Sequence, residues 1–131
     1  MMKDKKYNLV MVVDDSETDN AMNMQVISNN GFCNEVKTQT SAKKTLEYLR
    51  TTPADELPDV IFLDIVMPEM DGFAFLTEFE KLPQDVHRKC KIVLLSSSDS
   101  FKDLNRANKN RFVKRFLNKP LTGTMLQAIN F

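Results

Sequence analysis

The stretch formed by residues 60–72, VIFLDIVMPEMDG, constrains the fold of this chain more than any other. Its first four residues are apolar, Asp64 follows them directly, and Pro68 interrupts any regular element before a helical pattern starts at Phe73. An unbroken apolar run with β-branched residues, bounded by a turn, predicts a strand buried on both faces. Asp64 is therefore expected at the carboxyl end of an interior strand, the edge where ligands bind in open α/β sheets.

Four more apolar runs follow the same scheme, and the five predicted strands begin near residues 8, 35, 60, 91 and 114. Helical patterns separate them, and a spacing of roughly 25 to 30 residues is typical of successive βα units. Right-handed crossovers between parallel strands place helices on both faces of the sheet. The predicted fold is therefore α/β and doubly wound around a five-stranded parallel sheet, and 131 residues suit one domain with one core.

The helical patterns predict which side chains face the core. The first helix, capped by Ser16, shows a broad apolar face made of Ala21, Met22, Met24, Val26 and Ile27, and the second turns Ala42, Leu46 and Leu49 inward. We expect the helical methionines, including Met125, to fill core space. Residues 82–89 are interpreted as a loop with His87 on its surface. The second and fifth strands are expected over residues 35–38 and 112–117.

The composition excludes several classes of protein. The 18 Lys+Arg balance the 18 Asp+Glu, which argues against direct binding of nucleic acid. No apolar run approaches the ~20 residues of a membrane span, and no signal-peptide pattern starts the chain, so we expect a cytoplasmic protein that does not insert into membranes. Cys33 and Cys90 lack metal-ligand spacing and are expected to be free thiols.

Polar side chains end four of the five predicted strands. Asp14 and Asp15 follow the first strand, Asp64 the third and Ser96 the fourth, and Lys119 follows the fifth. All parallel strands end at one edge of the sheet, so these groups are expected to converge. Three crowded carboxylates raise one another's pKa and need a counter-charge, which Mg²⁺ and the lysine can supply. An ionised Asp64 could then act as a nucleophile toward a phosphoryl group and form an aspartyl phosphate.

At these positions the chain resembles the response-regulator receiver domain of two-component signalling. The resemblance rests on VVDD at 12–15, LDIVMPEMDG at 63–72, Leu95-Ser96 and FLNKP at 116–120, in that order. It implies a flavodoxin-like (βα)5 fold with strand order 2-1-3-4-5. It also implies a single receiver domain over residues 1–131, with its core at about 7–131 and no output domain.

The resemblance implies a role for each site residue. Asp64 corresponds to the phosphoacceptor, and Asp14, Asp15, Asp64 and the backbone carbonyl of Val66 to the Mg²⁺ ligands, with Asp15 the more direct of the acidic pair. Ser96 and Lys119 correspond to the phosphate-binding hydroxyl and lysine. A sensor histidine kinase or a histidine phosphotransfer protein is the implied donor. The Lys119-Pro120 peptide bond is expected to be cis.

The resemblance further implies a switch in which Ser96 moves toward the phosphoryl group and Phe116 turns inward. The surface reshaped by this movement would be the fourth helix, fifth strand and fifth helix of the family pattern, at about residues 101–129, where an unknown downstream protein would bind. One departure concerns Phe112-Val113, because many receivers have Gly-Ala there. Phe116 and Ser96 also stand where Tyr and Thr are commoner.

Two other functions fit parts of the pattern. The first is a Mg²⁺-dependent phosphohydrolase working through the same aspartyl phosphate, but Val66, two residues after Asp64, offers no second carboxylate for acid–base catalysis. The second is a flavin- or nucleotide-binding module, but the first strand is followed by two acids rather than a phosphate-binding loop. A signalling domain without turnover of small substrates is therefore preferred.

Overall fold

The computed structural model of the protein describes residues 6–97 and 101–131. The strands are β1 (Tyr7–Val13), β2 (Cys33–Gln39), β3 (Val60–Asp64), β4 (Lys91–Ser96) and β5 (Val113–Asn118). The α-helices are α1 (Glu17–Asn29), α2 (Ala42–Thr51), α3 (Gly72–Phe79), α4 (Gln84–Lys89), α5 (Phe101–Lys109) and α6 (Gly123–Ala128), and a 3-10 turn spans Ala54–Glu56.

The five strands form one parallel sheet in the order β2-β1-β3-β4-β5, as predicted. β3 lies at its centre, and all five of its residues are buried. Because side chains alternate across a strand, Ile61 and Leu63 pack with α2, α3, α4 and α5, whereas Val60 and Phe62 pack with α1 and α6. The helices therefore cover both faces of the sheet. The amino edge, where the strands begin, and the carboxyl edge, where they end, are left for other roles.

The predicted apolar face of α1 is only partly correct, because Ile27 is buried and Val26 packs against the core, but Ala21 is exposed. Met22 and Met24 are exposed, and Asn20 and Asn23 are buried beside Ile27. The apolar residues of this helix are spread around its axis, so they do not select one orientation. Hydrogen bonds from the Asn20 amide to the backbone oxygens of Asp14 and Gln39, at 2.9 and 3.0 Å, fix that face of the helix against the sheet. Met125 of α6 is half-buried and packs against the core.

The interpretation of residues 82–89 as a loop is also wrong, because α4 forms within them. His87 lies on this helix and is half-buried, with its ring centroid 5.0 Å from Phe79 and 4.5 Å from Phe112. The helix has only six residues, too few to show a full amphipathic period in the sequence. The buried face predicted for α2 is confirmed, since Ala42, Leu46 and Leu49 are all buried.

The observed strand bounds differ slightly from those predicted. β2 extends two residues earlier than expected and includes Cys33, and β5 is shifted one residue toward the C-terminus. Cys33 and Cys90 are buried and form no disulfide, as predicted, and burial raises the pKa of Cys90 to about 12. Of the polar stretch predicted after β4, residues 98–100 lie outside the described part of the chain.

Candidate functional site

The carboxyl edge of the sheet gathers the polar residues that end the strands. β1 leads into Asp14 and Asp15, β3 ends on Asp64, and β4 ends on Ser96. Lys119 follows β5, and its backbone N–H donates to the carbonyl oxygen of Ser96 at 2.8 Å. Parallel strands of similar length bring these five residues together, as their positions in the sequence predict.

The three aspartates form a tight acidic cluster. One carboxylate oxygen each from Asp14, Asp15 and Asp64 lies within 4.8 Å of the others. Asp14 is 2% exposed and Asp64 6%, whereas Asp15 is exposed. Solvent therefore screens the repulsion among these charges poorly, and the cluster has one open side through which a ligand can enter.

Lys119 is the cation that partly neutralises this cluster. Its Nζ lies 2.7 Å from Asp14 Oδ2, 3.3 Å from Asp64 Oδ1 and 3.4 Å from Asp19 Oδ2. Burial lowers the pKa of Lys119, but its hydrogen bond with Asp14 and the charges of Asp64 and Asp14 outweigh burial and raise that pKa above its ordinary value. The lysine is thus held as an ammonium ion beside the carboxylates.

Asp64 has the opposite electrostatic balance. Burial, followed by the negative charge of Asp14, raises the pKa of Asp64 above its ordinary value of 3.8, although Lys119 opposes the increase. The carboxylates of Asp14, Asp64 and Asp19 pair with the one ammonium group of Lys119, and Asp15 adds a fourth negative charge beside them. The excess negative charge and the oxygen-only donors suit a hard divalent cation such as Mg²⁺, which accepts carboxylate ligands and retains water molecules. The residues present therefore fit the metal that the sequence pattern implies.

The backbone around Asp64 is closely packed. Ile65 N–H donates to the carbonyl oxygen of Leu95 at 3.2 Å, and Gly72 N–H donates back to that of Ile65 at 2.8 Å. A Cβ on Gly72 would lie 3.0 Å from Ile65 Cα and 3.1 Å from the carbonyl oxygen of Asp64, so a larger residue would displace the chain that carries the carboxylate. Asp71 accepts a hydrogen bond from Ala74 N–H at 2.8 Å and caps α3.

The remaining predicted residues occupy distinct places. Ser96 is 2% exposed at the end of β4, and the side chain of Val66, in the loop after β3, is 67% exposed. Phe116 lies on β5, half-buried against the core cluster that includes α3 and α5. The Lys119-Pro120 peptide bond is cis, so that prediction is confirmed.

Two residues of the site were missed by the sequence analysis. Asp19 was given no role in the site, yet its carboxylate lies 3.4 Å from Lys119 Nζ. Asn20 had no assigned role, yet its amide ties the carbonyl oxygen of Asp14 to that of Gln39 and so links the ends of β1 and β2. The only sequence signal for either residue is its distance of one helical turn from the acidic pair.

Comparisons with known proteins agree with this geometry. The family model described as the response regulator receiver domain matches residues 10–130. A crystal structure of a response regulator receiver protein from Dyadobacter fermentans is 30% identical, with 91% of each chain covered and a TM-score of 0.83.

Two curated relatives are also similar. The probable methanogenesis regulatory protein FilR2 of Methanothrix harundinacea is 28% identical over 116 residues, which cover 87% of this chain and 73% of the relative. The sensor histidine kinase CheAY of Helicobacter pylori is 27% identical over 121 residues, which cover 92% of this chain but 14% of the relative. The chain thus corresponds to a small part of the second protein. In the described ranges, no helix has the length and apolar character needed to cross a membrane.

Proposed function

This chain belongs to the response regulator receiver domain family of two-component signalling, and from that premise we propose that it accepts a phosphoryl group on Asp64. The observation that carries the proposal is the acidic cluster itself, three carboxylates within 4.8 Å with Lys119 Nζ 3.3 Å from Asp64. Asp64 is the member of this cluster that ends the central strand, where tight backbone packing fixes its position.

The proposed reaction is an exchange of bonds at phosphorus. A carboxylate oxygen of Asp64 forms a bond to phosphorus while the bond from phosphorus to an imidazole nitrogen of the donor breaks, and that nitrogen then takes up a proton. Asp64 attacks as the carboxylate, and because burial and the charge of Asp14 raise its pKa, protonation would remove the nucleophile as the pH falls. Lys119, already an ammonium ion, would donate to a phosphoryl oxygen, and Ser96 would donate through its hydroxyl.

A Mg²⁺ ion would be held by Asp14, Asp15, Asp64 and the backbone carbonyl of Val66. When bound, it would supply positive charge that offsets the charge on the phosphoryl oxygens. The donor we propose is a sensor histidine kinase or a histidine phosphotransfer protein, supported by the similarity to part of a sensor histidine kinase. The receiver would then act on a downstream protein rather than on a small substrate.

The test is phosphorylation by acetyl phosphate, followed by intact-mass measurement. The wild-type protein should gain one phosphoryl group in the presence of Mg²⁺, and much less after EDTA treatment. Asp64→Asn should gain none, whereas Asp71→Asn, which alters an exposed cap in the same loop, should react normally. A phosphoryl group on Asp64→Asn, or labelling unaffected by EDTA, would contradict the proposal.

We further propose that Ser96 and Phe116 transmit the signal to the surface formed by α5, β5 and α6. The buried position of Ser96 and the half-buried position of Phe116 support this route, since β4 and β5 pair directly at Leu94–Phe116. Beryllofluoride with Mg²⁺ should shift NMR signals along Val113–Asn118 in the wild type and much less in Ser96→Ala. Ser97→Ala, the adjacent exposed serine, serves as the control. Equal shifts in both variants would exclude Ser96 from the route.

A further inference from the structure

A second cleft lies at the amino edge of the sheet, between α4 and the start of β5. Its volume is about 400 Å³, and its lining residues are Gln84, His87, Arg88, Arg111, Phe112 and Lys114. Three of these residues carry a permanent positive charge, and none of the described lining residues is acidic. We call it the basic cleft. It is separate from the acidic cluster, because α4 leads into β4 and residues 111–112 lead into β5 at their opposite ends.

The two aromatic residues that line the basic cleft, His87 and Phe112, pack against each other and against Phe79. The Phe112 ring meets that of Phe79 nearly edge-on, with centroids 5.3 Å apart and an interplanar angle of 78°. The His87 ring lies 4.5 Å from Phe112, and His87 Nε2 donates to the carbonyl oxygen of Phe79 at 2.7 Å, since a carbonyl can only accept. These contacts fix Phe112 between α3 and α4. Phe112 is one of the two residues that stand where many receivers have Gly-Ala.

The cations at the rim are available for a partner. The guanidinium carbon of Arg111 lies 4.6 Å from the Phe112 ring centroid, a contact that orients the group without using its N–H donors. Arg88 has an acidic neighbour, Asp85, but at 3.8 Å, and both side chains are more than 70% exposed, so the pair is weak. For Arg111 and Lys114, no ion pair occurs within the described part of the chain.

We propose that the basic cleft docks an acidic segment of a partner protein, with carboxylates on Arg111 and Lys114 and an apolar side chain against Phe112. Charge complementarity favours this occupant, because two cations of the cleft, Arg111 and Lys114, have no ion pair among the described residues of a chain whose formal net charge is zero. A compact phosphate ligand fits less well, since the cations are exposed and come from two separate elements. This interaction is distinct from phosphorylation at Asp64.

The test uses a fluorescein-labelled peptide, EEDFEED, with the full-length protein at low ionic strength. Binding is followed by fluorescence anisotropy and by NMR shifts of the protein. Shifts are expected at residues 84–89 and 111–114. Arg111→Ala/Lys114→Ala should weaken binding by about threefold or more, a lower bound for two exposed charge pairs. Lys37→Ala/Lys44→Ala removes the same charge from β2 and α2, at the far side of the sheet, and should have little effect.

Three results would overturn the proposal. The first is equal weakening by the two double variants, which would indicate only non-specific attraction. The second is an absence of peptide binding by the wild type at low salt. The third is a short DNA duplex that binds at the basic cleft when the peptide does not. Arg111→Lys keeps the charge and should retain most of the affinity, and the wild-type shift pattern locates the site even where a double variant folds poorly.

Discussion

Two aspartates bracket the central strand β3, and they have opposite electrostatic properties. Asp59 directly precedes the strand and Asp64 ends it. Each has a lysine partner, with Lys89 Nζ 2.7 Å from Asp59 and Lys119 Nζ 3.3 Å from Asp64. Residue type and ion pairing are therefore similar at the two ends, and the difference lies in the other neighbours.

Asp59 is surrounded by donors. Its Oδ2 accepts from the backbone N–H groups of Asn8 at 2.8 Å and Leu9 at 3.3 Å. Burial raises the pKa of Asp59, but the Lys89 hydrogen bond and the two N–H groups outweigh burial and hold that pKa below 3.8. Asp64 instead faces Asp14 and Asp15, and its pKa is raised. A carboxylate whose oxygens accept hydrogen bonds anchors the strand. A carboxylate crowded by other negative charges is instead suited to bind a cation and to react.

The largest expected effect comes from removing the anchor. Asp59→Ala should destabilise the fold by about 1–3 kcal/mol, because Lys89 and two backbone N–H groups lose their acceptor. Urea denaturation followed by circular dichroism measures this change. Asp55→Ala, an exposed residue of the neighbouring 3-10 turn, should stay within about 0.5 kcal/mol of the wild type. Similar losses of stability in both variants would show that the contacts of Asp59 stabilise the fold no more than those of the exposed Asp55.

Removing the charge at the other end should have a smaller effect of opposite sign. Asp64→Asn relieves repulsion with Asp14 and Asp15 and leaves Lys119 paired with Asp14, so it should stabilise the protein by about 1 kcal/mol in EDTA. The same denaturation experiment applies. Added Mg²⁺ should stabilise the wild type more than this variant, because the variant lacks one ligand. Destabilisation by Asp64→Asn without metal would mean that pairing with Lys119 stabilises the fold by more than repulsion with Asp14 and Asp15 destabilises it.

The smallest expected effect is in the pH dependence of stability, measured in EDTA. Asp64 binds its proton more tightly in the native state than in the unfolded chain. Its negative charge therefore destabilises the fold fully above its raised pKa, and this destabilisation vanishes as the pH falls below 3.8. Native Asp59 binds its proton less tightly, so its contribution is full above 3.8 and is lost as the pH falls through its lowered pKa. The stability differences from Asp64→Asn and Asp59→Asn should therefore have opposite signs at neutral pH and both shrink in acid. Differences of the same sign at neutral pH would contradict this assignment.

Much of the candidate site was predictable, because it depends on local signals repeated along the chain. Asp14, Asp15, Asp64, Ser96 and Lys119 each follow an apolar run, and parallel strands necessarily end together. The contribution of Asp19 and Asn20 was not predictable, because it depends on how α1 is rotated against the sheet. In α1 the apolar residues favour no single orientation, and the buried amide of Asn20 makes the decisive hydrogen bonds.

The amino edge of the sheet was predicted least well. Neither Asp59 nor the basic cleft carries a motif, and α4 is too short to show a helical period. Phe112 was predicted only as the start of the fifth strand and as a departure from a family pattern, yet its ring joins α4 to β5. Features that depend on one side chain fitting between two elements leave no periodic signal in the chain.

The sequence by itself determined the five βα units, the interior position of the third strand and the group of acids at one edge, since these follow from apolar runs and the residues that end them. Tertiary structure alone decided which charged side chains lie close enough to their partners to form ion pairs and hydrogen bonds. Lys119 reaches Asp14 across 105 positions, and Asp59 receives the N–H of Leu9 across 50. Such pairs form only when strands distant in the chain lie side by side, and their strength depends on the burial that packing creates.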